Sequence, residues 1–293
     1  MSWLELSVRV SRQNAQLVEN LLQNEPVLAL TMTDDADDPV LEPGVGETPL
    51  WPSVCVTALF SGDTAVEPLT QMLSLLPGVD RPQQVSFRTF EDQQWERVWL
   101  DRFKPMQFGS GLWIVPGEAS APDSAAHVLR LDPGLAFGTG THPTTHMCLE
   151  WMDAHDFTGE TVVDYGCGSG VLGITAAIKG AAAVICVDND PQALTATSDN
   201  SHRNGVQDRV TCLMPEQFKP QSAEVVVANI LAGPLIELAP VLSANLLPGG
   251  SLVLSGVLEE QADEVECAYA SGFTQQQRKV MDGWVLLTGN RQD

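Results

Sequence analysis

The sequence predicts an α/β protein in which a small α+β domain precedes a larger domain built on a mostly parallel sheet. Two observations lead to this prediction. Residues 1–91 hold segments in the order βαββαβ, whereas residues 106–293 hold apolar strands that alternate with helices and end in a hairpin. The first order is typical of a ferredoxin-like sandwich, and the second of a doubly wound, Rossmann-like sheet.

The small domain is predicted over residues 1–91. Residues 3–10 alternate as a half-buried strand does, and Ser11 can cap a helix that reaches about Asn24. The other expected elements are strands at 27–32, 53–60 and 85–90 and a helix at 64–76. An acidic stretch rich in glycine and proline, residues 34–52, is not expected to form regular structure. No catalytic constellation is visible here, so docking a partner or dimerising are the expected roles.

Residues 92–105 are predicted to form a linker helix. Trp95, Trp99 and Phe103 repeat at four-residue spacing, and Pro105 ends the segment. A helix that packs this aromatic stripe on a domain is favoured over a cofactor site.

The larger domain is predicted over residues 106–293. Its expected strands lie at 162–164, 184–187, 209–214, 224–230, 251–256, 274–281 and 284–288, and its expected helices at 146–153, 172–179, 191–203, 234–247 and 259–270. Asp282 and Gly283 form a type I′ hairpin signal between the last two strands. Five parallel strands and a hairpin predict a sheet of seven strands, one of them antiparallel.

A glycine turn follows the first parallel strand and indicates a nucleotide site. Gly166, Gly168 and Gly170 give the spacing G-x-G-x-G, and Val171 stands where a dinucleotide fold would need a small residue. Asp188 ends the next strand, 22 residues after Gly166, where an acid can bind ribose hydroxyls. A turn that needs only close backbone approach, with this acid, favours S-adenosylmethionine as the ligand.

The charge excludes some partners. The chain has 15 basic and 38 acidic residues, a net charge of −23. Nucleic acid would be repelled, since phosphate binding needs clustered lysine and arginine. A basic protein would be attracted, although solubility alone also explains such acidity.

The remaining composition predicts a cytoplasmic protein. Six cysteines include no C-x-x-C pair, which favours buried thiols over zinc or disulfides. The amino terminus lacks a signal pattern, and polar and proline residues interrupt the longest apolar stretch, residues 225–247. No membrane contact is therefore expected.

Two further segments bring polar residues to the expected ligand edge. Residues 129–153 form a loop rich in glycine and threonine that can fold over a cofactor, although an ordinary connection is the alternative. Thr144 or Thr145 can start the helix that follows. His142 and His146 have no clustered acid or cysteine beside them, so polar contacts in the loop are favoured over a metal or base.

Asn229 is predicted at the end of the fourth parallel strand. A polar amide that ends an apolar strand is costly unless it hydrogen-bonds. Its oxygen can hold an amine nitrogen with the lone pair aimed at a methyl group. The alternative is an asparagine that caps the next turn.

Taken together, the motifs resemble one family. LDPGLAFGTGTHPTT, VVDYGCGSGVLGI, VDNDPQAL and VVVANILAGPL look like the ribosomal protein L-eleven methyltransferase (PrmA) family, as do PVLEPGVGETPLW and WERVWLDRFKPM. Each motif alone is common among methyltransferases, but the set in this order is specific and spans nearly the whole chain.

The resemblance implies methylation, by S-adenosylmethionine, of ε-amino groups and the terminal α-amino group of ribosomal protein L-eleven. It also implies an amino-terminal domain that docks this basic substrate, and we expect a monomer. Matching motifs assign cofactor contacts to Thr145, Gly166, Asp188 and Asn229. They assign Phe137, Thr139 and Gly140 to the loop over the site.

Three alternatives remain. Another amine or amide methyltransferase would more often carry N-P-P-Y where this chain has residues 229–232. An NAD enzyme is disfavoured by Val171. A non-catalytic ribosome-assembly module is possible in principle, but the intact glycine turn, Asp188 and Asn229 argue against it.

Overall fold

The computed structural model describes residues 2–35, 51–76, 78–79, 84–91, 104–117, 119–131, 140–220 and 222–292. The chain divides into two compact units, Met1–Val98 and Trp99–Asp293. Most of the acidic stretch (36–50) and most of the predicted linker helix (92–103) lie outside the described residues. In the described parts of the chain, every helix is too short or too polar to cross a membrane.

Within its described residues, the first unit is a four-stranded antiparallel sheet with two helices. Its elements are β1 (Ser2–Ser11), α1 (Arg12–Leu22), β2 (Ala29–Asp34), β3 (Ser53–Ser61), α2 (Val66–Leu73) and β4 (Val85–Glu91). The strand order β2-β3-β1-β4 is ferredoxin-like. Alternate residues of β1, from Leu4 to Val10, are buried with Val18, Leu22 and Leu69 of the helices, so one face of the sheet forms the core.

The second unit is built on a seven-stranded sheet within the described residues. Its strands are β8 (Thr161–Tyr165), β9 (Ala183–Val187), β10 (Val210–Leu213), β11 (Ala223–Asn229), β12 (Leu246–Leu258), β13 (Phe273–Met281) and β14 (Trp284–Arg291). They lie in the order β10-β9-β8-β11-β12-β14-β13. Among the seven strands of this sheet, β14 alone runs in the opposite direction to the others. The predicted Rossmann-like fold is confirmed.

Helices cover both faces of this sheet. They are α3 (Pro143–Ala154), α4 (Val171–Ile178), α5 (Pro191–Arg203), α6 (Ala232–Glu237), α7 (Ala239–Ala244) and α8 (Ala262–Tyr269), with a 3₁₀ turn at Glu259–Gln261. Neighbouring strand residues point to opposite cores: Val162 packs in one cluster and Val163 in the other. Because both faces of the sheet are buried, polar side chains that contact a ligand are expected at the carboxyl ends of the strands.

Three features of the second unit differ from the predictions. A separate sheet of β5 (Met106–Phe108), β6 (Leu112–Pro116) and β7 (His127–Leu131) was not predicted. The helix predicted at 234–247 is two helices that meet at Leu238, because Pro240 begins a new first turn. Strand β12, predicted to start at residue 251, starts at Leu246. The strand therefore includes Pro248 and the two glycines that follow it.

Candidate active site

A cavity of about 620 Å³ opens at the carboxyl ends of the parallel strands. Its lining comes from the carboxyl ends of β8 to β11 and the residues after them, from α6, from β12, and from the starts of α3 and β14. The lining residues are His142, Thr144, Tyr165, Gly166, Gly168, Asp188, Asn189, Pro215, Asn229, Ile230, Leu231, Pro234, Leu238, Gly256 and Trp284. This volume is typical of small-molecule sites, and this edge is where doubly wound sheets bind ligands.

The glycine turn forms one wall of the cavity. Gly166, Gly168 and Gly170 have φ values of 79°, 55° and 79°, which side chains rarely allow. A Cβ built on Gly166 would lie 2.2 Å from Cγ2 of Ile230, so a larger residue would displace the opposite wall. Gly166 and Gly168 line the cavity, whereas Gly170 does not and instead begins α4.

Asp188 lies at the cavity with its carboxylate already oriented. Oδ2 accepts the backbone N–H of Gly168 at 2.9 Å, and Oδ1 accepts that of Asp190 at 3.0 Å. A carboxylate has about four acceptor positions, so these two bonds leave capacity for hydroxyl donors of a ligand. The predicted acid is thus tied both to the glycine turn and to the start of α5.

Asn229 and Thr145 are brought together. Asn229 lies at the end of β11 and lines the cavity, and its Nδ2 donates to Oγ1 of Thr145 at 3.2 Å. Thr145 is only 1% exposed and does not line the cavity itself. Because Thr145 holds the amide nitrogen, the side-chain oxygen of Asn229 is the atom suited to accept a bond from a substrate amine.

Helix α3 begins three residues earlier than predicted. His142 is its N-cap, with Nδ1 accepting from the backbone N–H of Thr144, and Pro143 takes the first helical position. The ring of His142 lines the cavity and meets Trp284 edge-on, with centroids 4.8 Å apart. Burial lowers the pKa of His142, which keeps the ring neutral near pH 7.

His146 lies away from the cavity lining. Its Nε2 is 3.6 Å from Oε1 of Glu150, and its ring lies 4.9 Å from that of Phe108. Within the described ranges, no three histidine, cysteine or acidic side chains come together as a metal site would need.

The predicted loop residues have different outcomes. Phe137 and Thr139 lie outside the described residues. Gly140 is buried and does not line the cavity; a Cβ there would lie 2.9 Å from Cδ1 of Ile114 and 3.0 Å from Cζ of Phe108. Its φ of 87° and this close packing give Gly140 a structural reason to be glycine.

The sequence reasoning missed Tyr165, Trp284 and Gly256 as cavity residues. Gly256 has a φ of 86°, and a Cβ there would lie 2.3 Å from the carbonyl oxygen of Ile230. A glycine inside an apolar strand signals such close approach, so Gly256 was detectable. Trp284 gave no comparable signal, because its place depends on how the last hairpin pairs.

Asp164 is buried directly behind the glycine turn. It is 1% exposed, and its Oδ2 accepts the backbone N–H of Gly173 at 2.8 Å. Its Oδ1 is buried with no hydrogen-bond partner among the described residues. Burial, and to a smaller extent the nearby Asp188, raise the pKa of Asp164 to about 7 against the lowering effect of the hydrogen bond from Gly173. The carboxyl group is therefore protonated in the folded protein below neutrality.

We expect the stability of the Asp164→Asn variant, relative to that of the wild type, to increase as pH rises. The unfolded carboxyl ionises near pH 3.8, but the folded one stays protonated to about 7, so the wild type loses stability as pH rises between these values. From pH 5 to pH 8, the free energy of unfolding of the variant relative to wild type should rise by about 3 kcal/mol. Thermal or urea unfolding at both pH values measures this.

The exposed Asp156 serves as the control. A hydrogen bond from Thr158 lowers the pKa of its carboxyl, so this group is ionised in both states throughout that pH range. Asp156→Asn should show no pH-dependent difference. The same pH-independent result for Asp164→Asn would contradict a protonated buried carboxyl.

Comparison with known proteins shows where this fold and site belong. The model of the family described as "Ribosomal protein L11 methyltransferase (PrmA)" matches residues 2–292. Proteins of that name from Pseudomonas putida (strain GB-1) and Shewanella amazonensis are 47% and 46% identical over 292 residues. These alignments cover 99% of this chain and 100% and 99% of those proteins.

A crystal structure of ribosomal protein L11 methylase from Lactobacillus delbrueckii subsp. bulgaricus is also similar, with a TM-score of 0.59 and 29% identity. The match covers 65% of this chain and 100% of that one. The resemblance inferred from the motifs is confirmed, and with it the prediction of a methyltransferase that uses S-adenosylmethionine. The chain belongs to the ribosomal protein L11 methyltransferase (PrmA) family.

Proposed function

We propose that this protein transfers methyl groups from S-adenosylmethionine to lysine ε-amino groups and the terminal α-amino group of ribosomal protein L11. The observation that carries the proposal is the pairing of Asn229 with Thr145 in a cavity that also holds the glycine turn and Asp188. The names of the 47% identical relatives support the choice of substrate.

The cavity fits the methyl donor. Gly166 and Gly168 bring the backbone to the cavity without side chains, a Cβ at Gly166 would lie 2.2 Å from Cγ2 of Ile230, and Asp188 adds a carboxylate for ribose hydroxyls. When bound, S-adenosylmethionine supplies a methyl carbon whose bond to a positively charged sulfur breaks as the bond to nitrogen forms. A cofactor role for Thr145, Gly140, Phe137 and Thr139 stays a prediction.

Asn229 orients the attacking amine. Its oxygen accepts a hydrogen bond from the amine, which fixes the direction of the nitrogen lone pair. Thr145 restrains the amide by accepting a hydrogen bond from Nδ2 at 3.2 Å. Orientation of this kind supplies much of the rate when no covalent step on the protein is needed.

Deprotonation of the amine falls largely to solvent. A free lysine of pKa about 10.4 costs about 4 kcal/mol to deprotonate near pH 7.5. Among the described residues that line the cavity, the titratable side chains are those of His142, Tyr165 and Asp188. Burial raises the pKa of Tyr165, so its hydroxyl does not serve as a base at neutral pH. The apolar lining at Ile230, Leu231 and Trp284 instead favours the neutral amine by removing water.

The protein substrate is proposed to be held by the first unit. The described residues of this unit show no catalytic constellation, and the net charge of −23 over the whole chain favours a basic partner. Monomeric state, cytoplasmic location and lack of direct contact with nucleic acid or membrane stay predictions.

We expect a fragment of residues 106–293 to bind S-adenosylmethionine with near-normal affinity but to lose most transfer to ribosomal protein L11. The reason is that the fragment keeps the residues that line the cavity and lacks the proposed docking unit. Calorimetry and transfer of a labelled methyl group measure the two properties separately. Undiminished transfer would assign the first unit another purpose.

Labelled methyl transfer onto purified, unmethylated ribosomal protein L11, followed by mass mapping, tests the proposed function. Label on lysine and on the terminal amine is the expected result. A mixture of other ribosomal proteins serves as the comparison. Transfer to one of those proteins and not to L11 would indicate a different amine substrate. Donor binding with no transfer to any would favour a non-catalytic module.

A further inference from the structure

The glycine turn is held from behind by helix α5. Thr197 donates its hydroxyl to the carbonyl oxygen of Gly168 at 3.0 Å, and Asn200 donates Nδ2 to that of Ser169 at 2.9 Å. The two donors are three residues apart, so they lie on the same face of the helix. Consecutive carbonyl groups of the turn are thus bonded to one helix.

Both side chains are buried. Thr197 is 0% exposed and Asn200 is 5% exposed. Polar groups at such depth are costly unless they are satisfied, and an apolar residue would pack there without that requirement. The methyl group of Thr197 also lies 2.8 Å from where a Cβ of Gly170 would be, so the same side chain leaves no room for a larger residue at 170.

The N–H groups of the turn are fixed from the other side. Gly166 and Cys167 donate to the carbonyl oxygen of Val187 at 2.7 and 3.1 Å, and Gly168 donates to Asp188. Gly168 is therefore held on both sides. Its N–H donates to Asp188, and its carbonyl oxygen accepts from Thr197. Glycine at 168 would otherwise reach several backbone conformations, which costs entropy when a ligand selects one of them.

We infer that Thr197 and Asn200 are positioning residues that hold the glycine turn in its donor-binding conformation before S-adenosylmethionine arrives. The inference rests on the proposed assignment of this cavity to the methyl donor. Neither residue lines the cavity, so both act through the backbone of residues 168 and 169. Preorganisation of this kind raises affinity because less freedom is lost on binding.

Two substitutions at Thr197 separate positioning from packing. Thr197→Val keeps the volume and removes the donor, whereas Thr197→Ser keeps the donor and removes the methyl group. Calorimetric titration of the full chain with S-adenosylmethionine should give a dissociation constant about tenfold higher for Thr197→Val. Thr197→Ser should stay within about twofold of wild type. Asn200→Asp, which replaces the amide donor with an acceptor, should weaken binding at least as much as Thr197→Val.

Thr175→Val is the matched control. Thr175 is equally buried, but its hydroxyl bonds to the carbonyl oxygen of Val171 inside α4, so binding should stay within about twofold of wild type. In steady-state assays, Thr197→Val should raise KM for the donor more than it lowers kcat. Thermal unfolding without ligand verifies that the variants are folded.

Normal donor binding by Thr197→Val would overturn the inference. Equal losses of donor affinity in Thr197→Val and Thr197→Ser would also overturn it, because they would indicate that Thr197 acts by packing. Asp188→Ala distinguishes failure of the positioning role from failure of the proposed donor site. If that variant loses binding while Thr197→Val does not, only the positioning role fails. If both bind normally, the cavity is not the donor site.

Discussion

Replacement of Asn229 with alanine is expected to lower turnover about 100-fold while changing donor affinity far less. The variant loses the oxygen that we propose orients the amine, and loss of orientation alone costs factors of this size. Steady-state kinetics with ribosomal protein L11 and saturating S-adenosylmethionine measure kcat, and calorimetry measures donor binding. A kcat near that of wild type would assign Asn229 to capping the turn after β11.

Two variants serve as comparisons. Thr145→Val keeps the volume but removes the bond to Asn229, so it should lower kcat by a smaller factor, about tenfold. His142→Ala should have the smallest effect, because the ring caps α3 and packs on Trp284 without a base role.

The pH profile distinguishes substrate from protein ionisation. Burial lowers the pKa of His142, so the ring is mostly neutral at pH 7 and above, and wild-type turnover should rise from pH 7 to pH 9 as more amine is neutral. A profile that is flat above pH 6.5 and collapses in His142→Ala would identify a histidine base.

Asp188→Ala is expected to weaken S-adenosylmethionine binding roughly 10- to 150-fold. Loss of a charged hydrogen-bond acceptor costs about 1.5–3 kcal/mol, and the same carboxylate also holds the N–H of Gly168. Calorimetry measures the affinity, and thermal unfolding measures the stability, which should change much less. Normal affinity would show that the acid does not contact the donor.

Asp190→Ala is the matched control for this prediction. Asp190 caps α5 by accepting from Gln192 and lies two residues away, but it does not line the cavity. The substitution should lower the thermal stability somewhat and change the affinity for S-adenosylmethionine little. An equal loss of affinity in both variants would mean that Asp188 acts only by anchoring the loop before α5.

The parts that could be predicted from the sequence depend on local chemistry. Helix α5 begins at Pro191 and ends at Arg203 as expected, because a proline begins it and Asn204-Gly205 ends it. Asp282 and Gly283 take left-handed φ values of 50° and 78°, as the type I′ signal requires. Gly166, Gly168, Asp188 and Asn229 reach one cavity because parallel strands share a carboxyl edge.

The parts that could not be predicted depend on distant pairing. β6 and β7 are five residues each and pair in parallel across an irregular connection, so no local periodicity marks them as a sheet. Trp284 reaches the cavity only because β14 lies beside β12. The bond from Asn229 to Thr145 joins residues 84 positions apart, which no spacing rule indicates.

The position of β14 also bears on how the enzyme matures during synthesis. Among the described strands it comes last along the chain, yet it is an inner strand of the sheet, and in these residues β13 pairs with the rest of the sheet through it. The first unit needs no residue beyond β4 for its sheet, so it can fold while translation continues. The cavity wall at Trp284 can form only after β14 has left the ribosome. A nascent chain can therefore fold its first unit before this cavity is complete.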